Sequence, residues 1–128
     1  MGKINEDMKT LLGSTIWVLG TADANGIPNA VPIHYAKVIN DSQLMLVDNF
    51  MKKTTANIKA NPQVTVSVWN KSTGYQFKGA AKIEISGANF DTAVEMVKGK
   101  MTPKGAIIVD VDSIYLTTPG PTAGDKVE

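Results

Sequence analysis

Leu46-Val47-Asp48-Asn49-Phe50-Met51-Lys52-Lys53-Thr54-Thr55-Ala56-Asn57-Ile58-Lys59-Ala60-Asn61-Pro62, continued by Gln63-Val64-Thr65-Val66-Ser67-Val68-Trp69, decides how this chain is read. It reads as strand, turn, short helix, proline stop, strand. Two lysines and a threonine stand where the helix begins. A helix N-terminus carries unpaired N–H groups and the positive end of the dipole, so lysines added there make a compact site for a phosphate. The bland alternative is a solvated helix start. Against it, the dipole disfavours cations at this end unless an anion is present, and Thr54 sets a hydroxyl beside them. A phosphate handle in a small, neutral, β-rich chain points to a nucleotide-like ligand.

Working outward, Ile4, Met8, Leu11 and Leu12 recur at helical spacing and predict a short helix over residues 3–12, ended by Gly13. Ile16 to Thr21 reads as a strand, and Asn25-Gly26 is a turn signal. Residues 29–38 read as one strand despite Pro32, which implies an edge position or a bulge because proline cannot donate to a ladder. Asn40-Asp41-Ser42 turns the chain into a hairpin partner at residues 43–47. After the helix at 51–60, Val64, Val66 and Val68 alternate with Thr65 and Ser67. Tyr75, Phe77, Gly79, Ala81, Ile83 and Ile85 alternate with polar or small residues in a long half-buried strand. Phe90, Ala93, Val94, Val97 and Met101 predict a third helix capped near Asn89 or Asp91. Residues 105–117 make a last strand, and the Pro/Gly-rich tail over 117–128 is loop-like and mobile unless docked. The fold class expected is mainly β: a six-stranded antiparallel split barrel with about three short peripheral helices.

Composition narrows the function. A length of 128 residues fits one domain spanning 1–128. Thirteen basic against twelve acidic residues give a net charge of +1, which lacks the basic footprint of a general nucleic-acid binder. With no cysteine, disulfides, thiolate metal sites and cysteine nucleophiles are excluded. The N-terminus lacks the apolar region of a signal peptide, and no apolar run approaches the ~20 residues that span a bilayer. The expectation is a soluble, cytoplasmic protein with no membrane partner.

Other candidate residues carry paired readings. His34, the lone histidine, is either a barrel residue bonded to backbone or a polar contact beside the ligand; alone it cannot build a zinc site. Asp48 and Asn49 either end a strand and cap the helix, or Asn49 caps while Asp48 meets a polar ring edge. Asp110 and Asp112 alternate on a strand and read as a solvated face. Trp69, Tyr75 and Phe77 read as core packing, with stacking on a ring as the alternative. No Gly-x-Ser-x-Gly elbow, Walker loop or Gly-x-Gly-x-x-Gly fingerprint occurs, so hydrolase and P-loop readings have no carrier.

Four motifs then appear in order: Asn25-Gly26-Ile27-Pro28-Asn29, Val47-Asp48-Asn49-Phe50-Met51-Lys52-Lys53-Thr54, Asn57-Ile58-Lys59-Ala60-Asn61-Pro62 and Gly74-Tyr75-Gln76-Phe77-Lys78-Gly79. Together they resemble the flavin-binding split-barrel family related to pyridoxamine 5′-phosphate oxidase, over residues 8–117. The resemblance implies a homodimer with two flavin sites at the subunit interface. It implies that Lys52, Lys53 and Thr54 meet the FMN phosphate, and that Val31, Pro32, Ile33, His34, Val47, Asp48 and Asn49 line the isoalloxazine and ribityl chain. Gly74, Tyr75 and Gln76 are expected to approach the flavin from the second subunit. The oxidase itself holds its product with a C-terminal arginine and histidine. Gly120 to Glu128 contains neither, so pyridoxamine oxidation is not expected. The family also includes deazaflavin-dependent reductases, haem-handling members and electron-transfer FMN proteins.

The expected function is therefore an FMN-binding flavoprotein acting in electron or hydride transfer with an unspecified substrate or redox partner. No side chain is an obvious proton donor, so binding residues are named and catalytic ones are not. The alternatives are a deazaflavin-dependent reductase using the same groove and a non-redox barrel binding a small ligand or nucleic acid. Near-neutral charge and eight aromatics weigh against the last.

Overall fold

The computed structural model describes residues 2–128. Within them the order is α1 (Glu6–Leu12), β1 (Trp17–Ala22), β2 (Pro28–Ile33), β3 (Ala36–Asn40), β4 (Gln43–Asp48), α2 (Lys53–Ala60), β5 (Gln63–Trp69), β6 (Gly74–Glu84), α3 (Ala88–Met96) and β7 (Gly105–Leu116). The seven strands form one sheet in the order β2-β1-β5-β6-β7-β4-β3. Every pairing is antiparallel.

That order forces the sheet to curl. The outer strands β2 and β3 are separated in sequence only by His34 and Tyr35. In a flat sheet, six interstrand gaps of about 4.8 Å would put them about 29 Å apart. Three extended residue steps reach only about 10 Å. The two edges must therefore meet at the His34-Tyr35 corner, which makes an antiparallel half-barrel with a seam there. The strand expected over residues 29–38 is thus two strands, giving seven in place of six. Its first half pairs with β1 and its second with β4, on opposite edges, so it has to bend between them. Pro32 lies on the outer strand β2, where its missing N–H breaks no ladder.

The inside of the curl buries Leu19, Leu44, Leu46, Val66, Val68, Phe77, Ile107, Val109 and Ile114, and Ile4 together with Met8, Leu11 and Leu12 of α1 closes it. A second cluster lies under α3, where Met45, Val47, Ala106 and Ile108 pack with Ala93 and Val97. Strands β4 and β7 are therefore covered on both faces, which is why each reads as a nearly unbroken apolar run. At Lys78/Gly79 the β6–β7 register shifts. A side chain at Gly79 would run into the Asp110 carbonyl, so only glycine allows that close approach.

Local details depart from expectation. Helix α1 begins at Glu6, capped by Asn5, whose side chain accepts the Met8 N–H at 2.9 Å. Helix α3 is preceded by Gly87 at φ 94°, with no side-chain cap, while Asn89 sits inside the helix and donates to Glu84 at 3.1 Å. Ile85 falls beyond the end of β6 and is 71% exposed, so the alternation stops one residue short. Phe77 is core, but Trp69 is 56% exposed at the end of β5. The tail is docked: Ile114 N–H donates to the Glu128 carbonyl and Leu116 N–H to the Asp125 carbonyl. Strand β4 flanks β7 only as far as Asp110, and the tail takes up backbone groups on β7 beyond that point.

Candidate functional site

The seam opens into a groove of about 650 Å³. Its lining joins the end of β2 and the corner (Val31, Pro32, Ile33, His34, Tyr35), the end of β4 with the loop after it (Val47, Asn49, Phe50, Met51), and the start of α2 (Lys52, Lys53, Thr54), with Met101 completing it. Residues from three separate stretches meet because the two sheet edges meet there. The lining is chiefly apolar along β2 and β4 and cationic at the helix end.

Helix α2 starts without relief for its dipole. Lys52 is the N-cap, no side chain caps the helix, and its first turn holds no acidic residue. Lys52 and Lys53 are exposed, whereas Thr54 is only 3% exposed beneath them. Cations, unpaired helix N–H groups and a hydroxyl thus converge at one end of an apolar slot. Chemically, that arrangement suits an anion at the helix end and an apolar group along the slot.

Asn49 does not cap α2. The residue lines the groove, and its Oδ1 is the buried side-chain polar atom left without a partner among the described residues. A buried carbonyl oxygen in that state lacks the donor that it needs. Asp48 is buried and accepts the Met51 N–H at 2.9 Å, with Lys104 Nζ 3.8 Å from its carboxylate. It shapes the loop from below and is not part of the lining. Lys104 also donates through Nζ to the Met51 carbonyl and through its backbone N–H to the Asp48 carbonyl. His34 is exposed at the corner and makes no hydrogen bond within the protein among the described residues, so its backbone-bonded reading fails. Gly74, Tyr75 and Gln76 start β6 and do not line this groove.

Of the expected residues, Val31, Pro32, Ile33, His34, Val47, Asn49, Lys52, Lys53 and Thr54 come together in one cavity. Tyr35, Phe50, Met51 and Met101 were missed as lining residues, as was Lys104 behind the loop. Phe50 and Met51 lie inside the decisive stretch and were within reach of it. Met101 and Lys104 come from a distant segment with no motif of their own, so only the folded chain brings them in.

Comparison with known proteins places the chain. An uncharacterized protein of Methanocaldococcus jannaschii is 34% identical over 131 residues, which cover 98% of this chain and 88% of the relative. The crystal structure of HupZ from Group A Streptococcus superposes with a TM-score of 0.85 at 29% identity, covering 94% of this chain and 99% of that one. An FMN-binding protein from Syntrophomonas wolfei shares the fold, with a TM-score of 0.78 at 18% identity over 88% of this chain and 84% of that one. The family model described as Pyridoxamine 5'-phosphate oxidase matches residues 4–118, and the chain belongs to that family.

Proposed function

We propose that this chain binds FMN in the seam groove and acts as a flavin-dependent oxidoreductase in electron or hydride transfer. The observation that carries the reading is the uncapped, acid-free start of α2, with Lys52, Lys53 and Thr54 at one end of an apolar slot. The lysines and helix N–H groups hold the phosphate. Val31, Pro32, Ile33 and Val47 bury the ring and exclude water, and His34 offers a polar contact at the corner. Asn49 Oδ1 orients a polar edge of the ring. Asp48 acts on the same site indirectly, through the loop it braces. The flavin, when bound, supplies the redox chemistry.

The working unit in this reading is a homodimer, with Gly74, Tyr75 and Gln76 reaching the flavin of the partner subunit. Exposed Trp69 pairs directly with Gly74 in the β5–β6 register, an apolar surface beside the segment that would cross over. Pyridoxamine oxidation is not part of the proposal.

Titration of FMN into the apoprotein, followed by quenching of flavin fluorescence, tests the reading. Saturable binding is expected. Lys52→Ala with Lys53→Ala is expected to weaken it about 10- to 100-fold, the size of one or two lost charge-assisted contacts. No binding by the wild type, or unchanged affinity in the double variant, rejects it. A deazaflavin is the second ligand to titrate, because a structure described as an F420 reductase shares the fold with a TM-score of 0.67. Tighter binding of the deazaflavin would move the assignment to a deazaflavin-dependent reductase.

A further inference from the structure

Thr21, Asp48 and Thr54 are the buried polar or charged residues among those described, and two of them belong to a hydrogen-bond network behind the groove. Asn29 Nδ2 on β2 donates to Thr54 Oγ1 at 3.1 Å and to Thr21 Oγ1 at 3.2 Å. Asn57 Nδ2, one turn along α2, donates to the same Thr21 oxygen at 3.0 Å. Asn29 does not line the groove.

From this network we infer that Asn29 is a positioning residue that sets the direction of the Thr54 hydroxyl at the phosphate end of the groove, an inference that rests on the FMN reading above. A carboxamide nitrogen carries two hydrogens, and Asn29 commits one to each threonine. Asn57 fills the remaining acceptor position on Thr21, so the pair of threonines is held between two strands and the helix. A hydroxyl has a single hydrogen to give. With its oxygen receiving the Asn29 N–H, Thr54 keeps that hydrogen, and no protein acceptor takes it among the described residues. Thr54 lines the groove, so the donor is left for an anion there. The thirteen basic residues are all lysine. An ammonium group attracts phosphate as a point charge without the fixed fork of arginine, so direction has to come from the hydroxyl and the helix N–H groups.

The test compares FMN with riboflavin, which has the same ring and ribityl chain but no phosphate, on the full-length protein. Asn29→Ala and Thr54→Val are each expected to weaken FMN binding about 10- to 100-fold, the size of one lost hydrogen bond to a charged group, with riboflavin changed less than about twofold. The combined variant should bind FMN no more weakly than Thr54→Val alone, because the two act as one unit. Equal losses for both flavins would mean that Asn29 only supports the fold, and fully multiplied losses would mean that it acts independently of Thr54; either overturns the inference. Should Asn29→Ala fail to fold, Asn29→Asp keeps the shape but accepts from both threonines, turning the Thr54 hydrogen inward. It should lose FMN preference at least as strongly, and an unchanged preference overturns the inference. Lys52→Ala with Lys53→Ala separates the two levels of argument. If that variant loses FMN preference and the Asn29 variants do not, the inference falls and the FMN reading stands. If the wild type does not prefer FMN over riboflavin, both fall.

Discussion

At Lys52 and Lys53 the chain accepts a local electrostatic cost, since two cations sit at the positive end of a helix with no acid or cap to offset them. Immediately upstream, Asp48 is buried and does the structural work of a cap for the loop. It holds the Met51 N–H while Lys104 grips the Met51 carbonyl from outside. Asp48→Ala leaves that N–H without its acceptor and Lys104 without its nearby carboxylate. The expected loss is about 1–3 kcal/mol, the usual penalty for orphaning a buried partner, measured by urea unfolding. A loss below about 0.5 kcal/mol, the range of an ordinary surface substitution, would remove the loop-bracing role. The decisive stretch disclosed the lysines because charge against a dipole is a local matter. It misassigned Asn49 as the cap because the choice between Asp48 and Asn49 depends on which way the loop turns after β4.

Among the elements, α1 shows how a helix is tied to a turn far away in sequence. Lys9 Nζ lies 2.6 Å from the Asp41 carboxylate in the turn between β3 and β4, while the backbone of the same turn accepts the Ile4 N–H at 2.6 Å. The hydrogen bond from Lys9, and then its charge, hold the Asp41 carboxyl below its usual range; the same hydrogen bond raises Lys9. A depressed carboxyl contributes stability above its unfolded pKa and loses it as pH falls through the folded value. The raised lysine contributes below its ordinary range and loses it only in strong alkali. Asp41→Asn should therefore lower the melting temperature slightly at neutral pH, with the gap to wild type closing under acid, as thermal melts from pH 7 to pH 3 can establish. A gap that persists at the acid end would assign the effect to packing. Element α3 makes a different point. Its apolar spacing predicted a helix correctly, but Asn89 and Asp91 looked like caps only because glycine at φ 94° leaves no capping signature.

For the molecule as a whole, the curl decides where function can sit. It joins the two outer strands at His34-Tyr35 and opens the groove at that junction, so the apolar wall from β2 and β4 meets the helix start in one place. In the proposed dimer, exposed Trp69 sits at the contact beside Gly74. Trp69→Glu is expected to yield a folded monomer by sedimentation, with FMN bound about tenfold more weakly as the partner's wall is lost. A variant that stays dimeric with unchanged affinity would place the interface elsewhere. Helix and strand types were legible wherever a period of two or 3.6 ran for a whole element, as in β5, β6 and α3. The split into β2 and β3 was not, because nothing within residues 29–38 records that its halves pair with opposite edges of the sheet.

By itself, then, the sequence determined every element except the split between β2 and β3, the antiparallel class and the cationic helix start, because periodicity, proline and glycine signals and helix electrostatics all act within a few residues. Only the tertiary structure decided that seven strands curl until their edges meet, that Met101 and Lys104 join the site, and that Asn29 stands behind Thr54. Those facts depend on which distant segments share a surface. Pairing between β2 and β1 and the docking of α2 across them bring Asn29, Thr21 and Asn57 together, and no local pattern encodes that meeting.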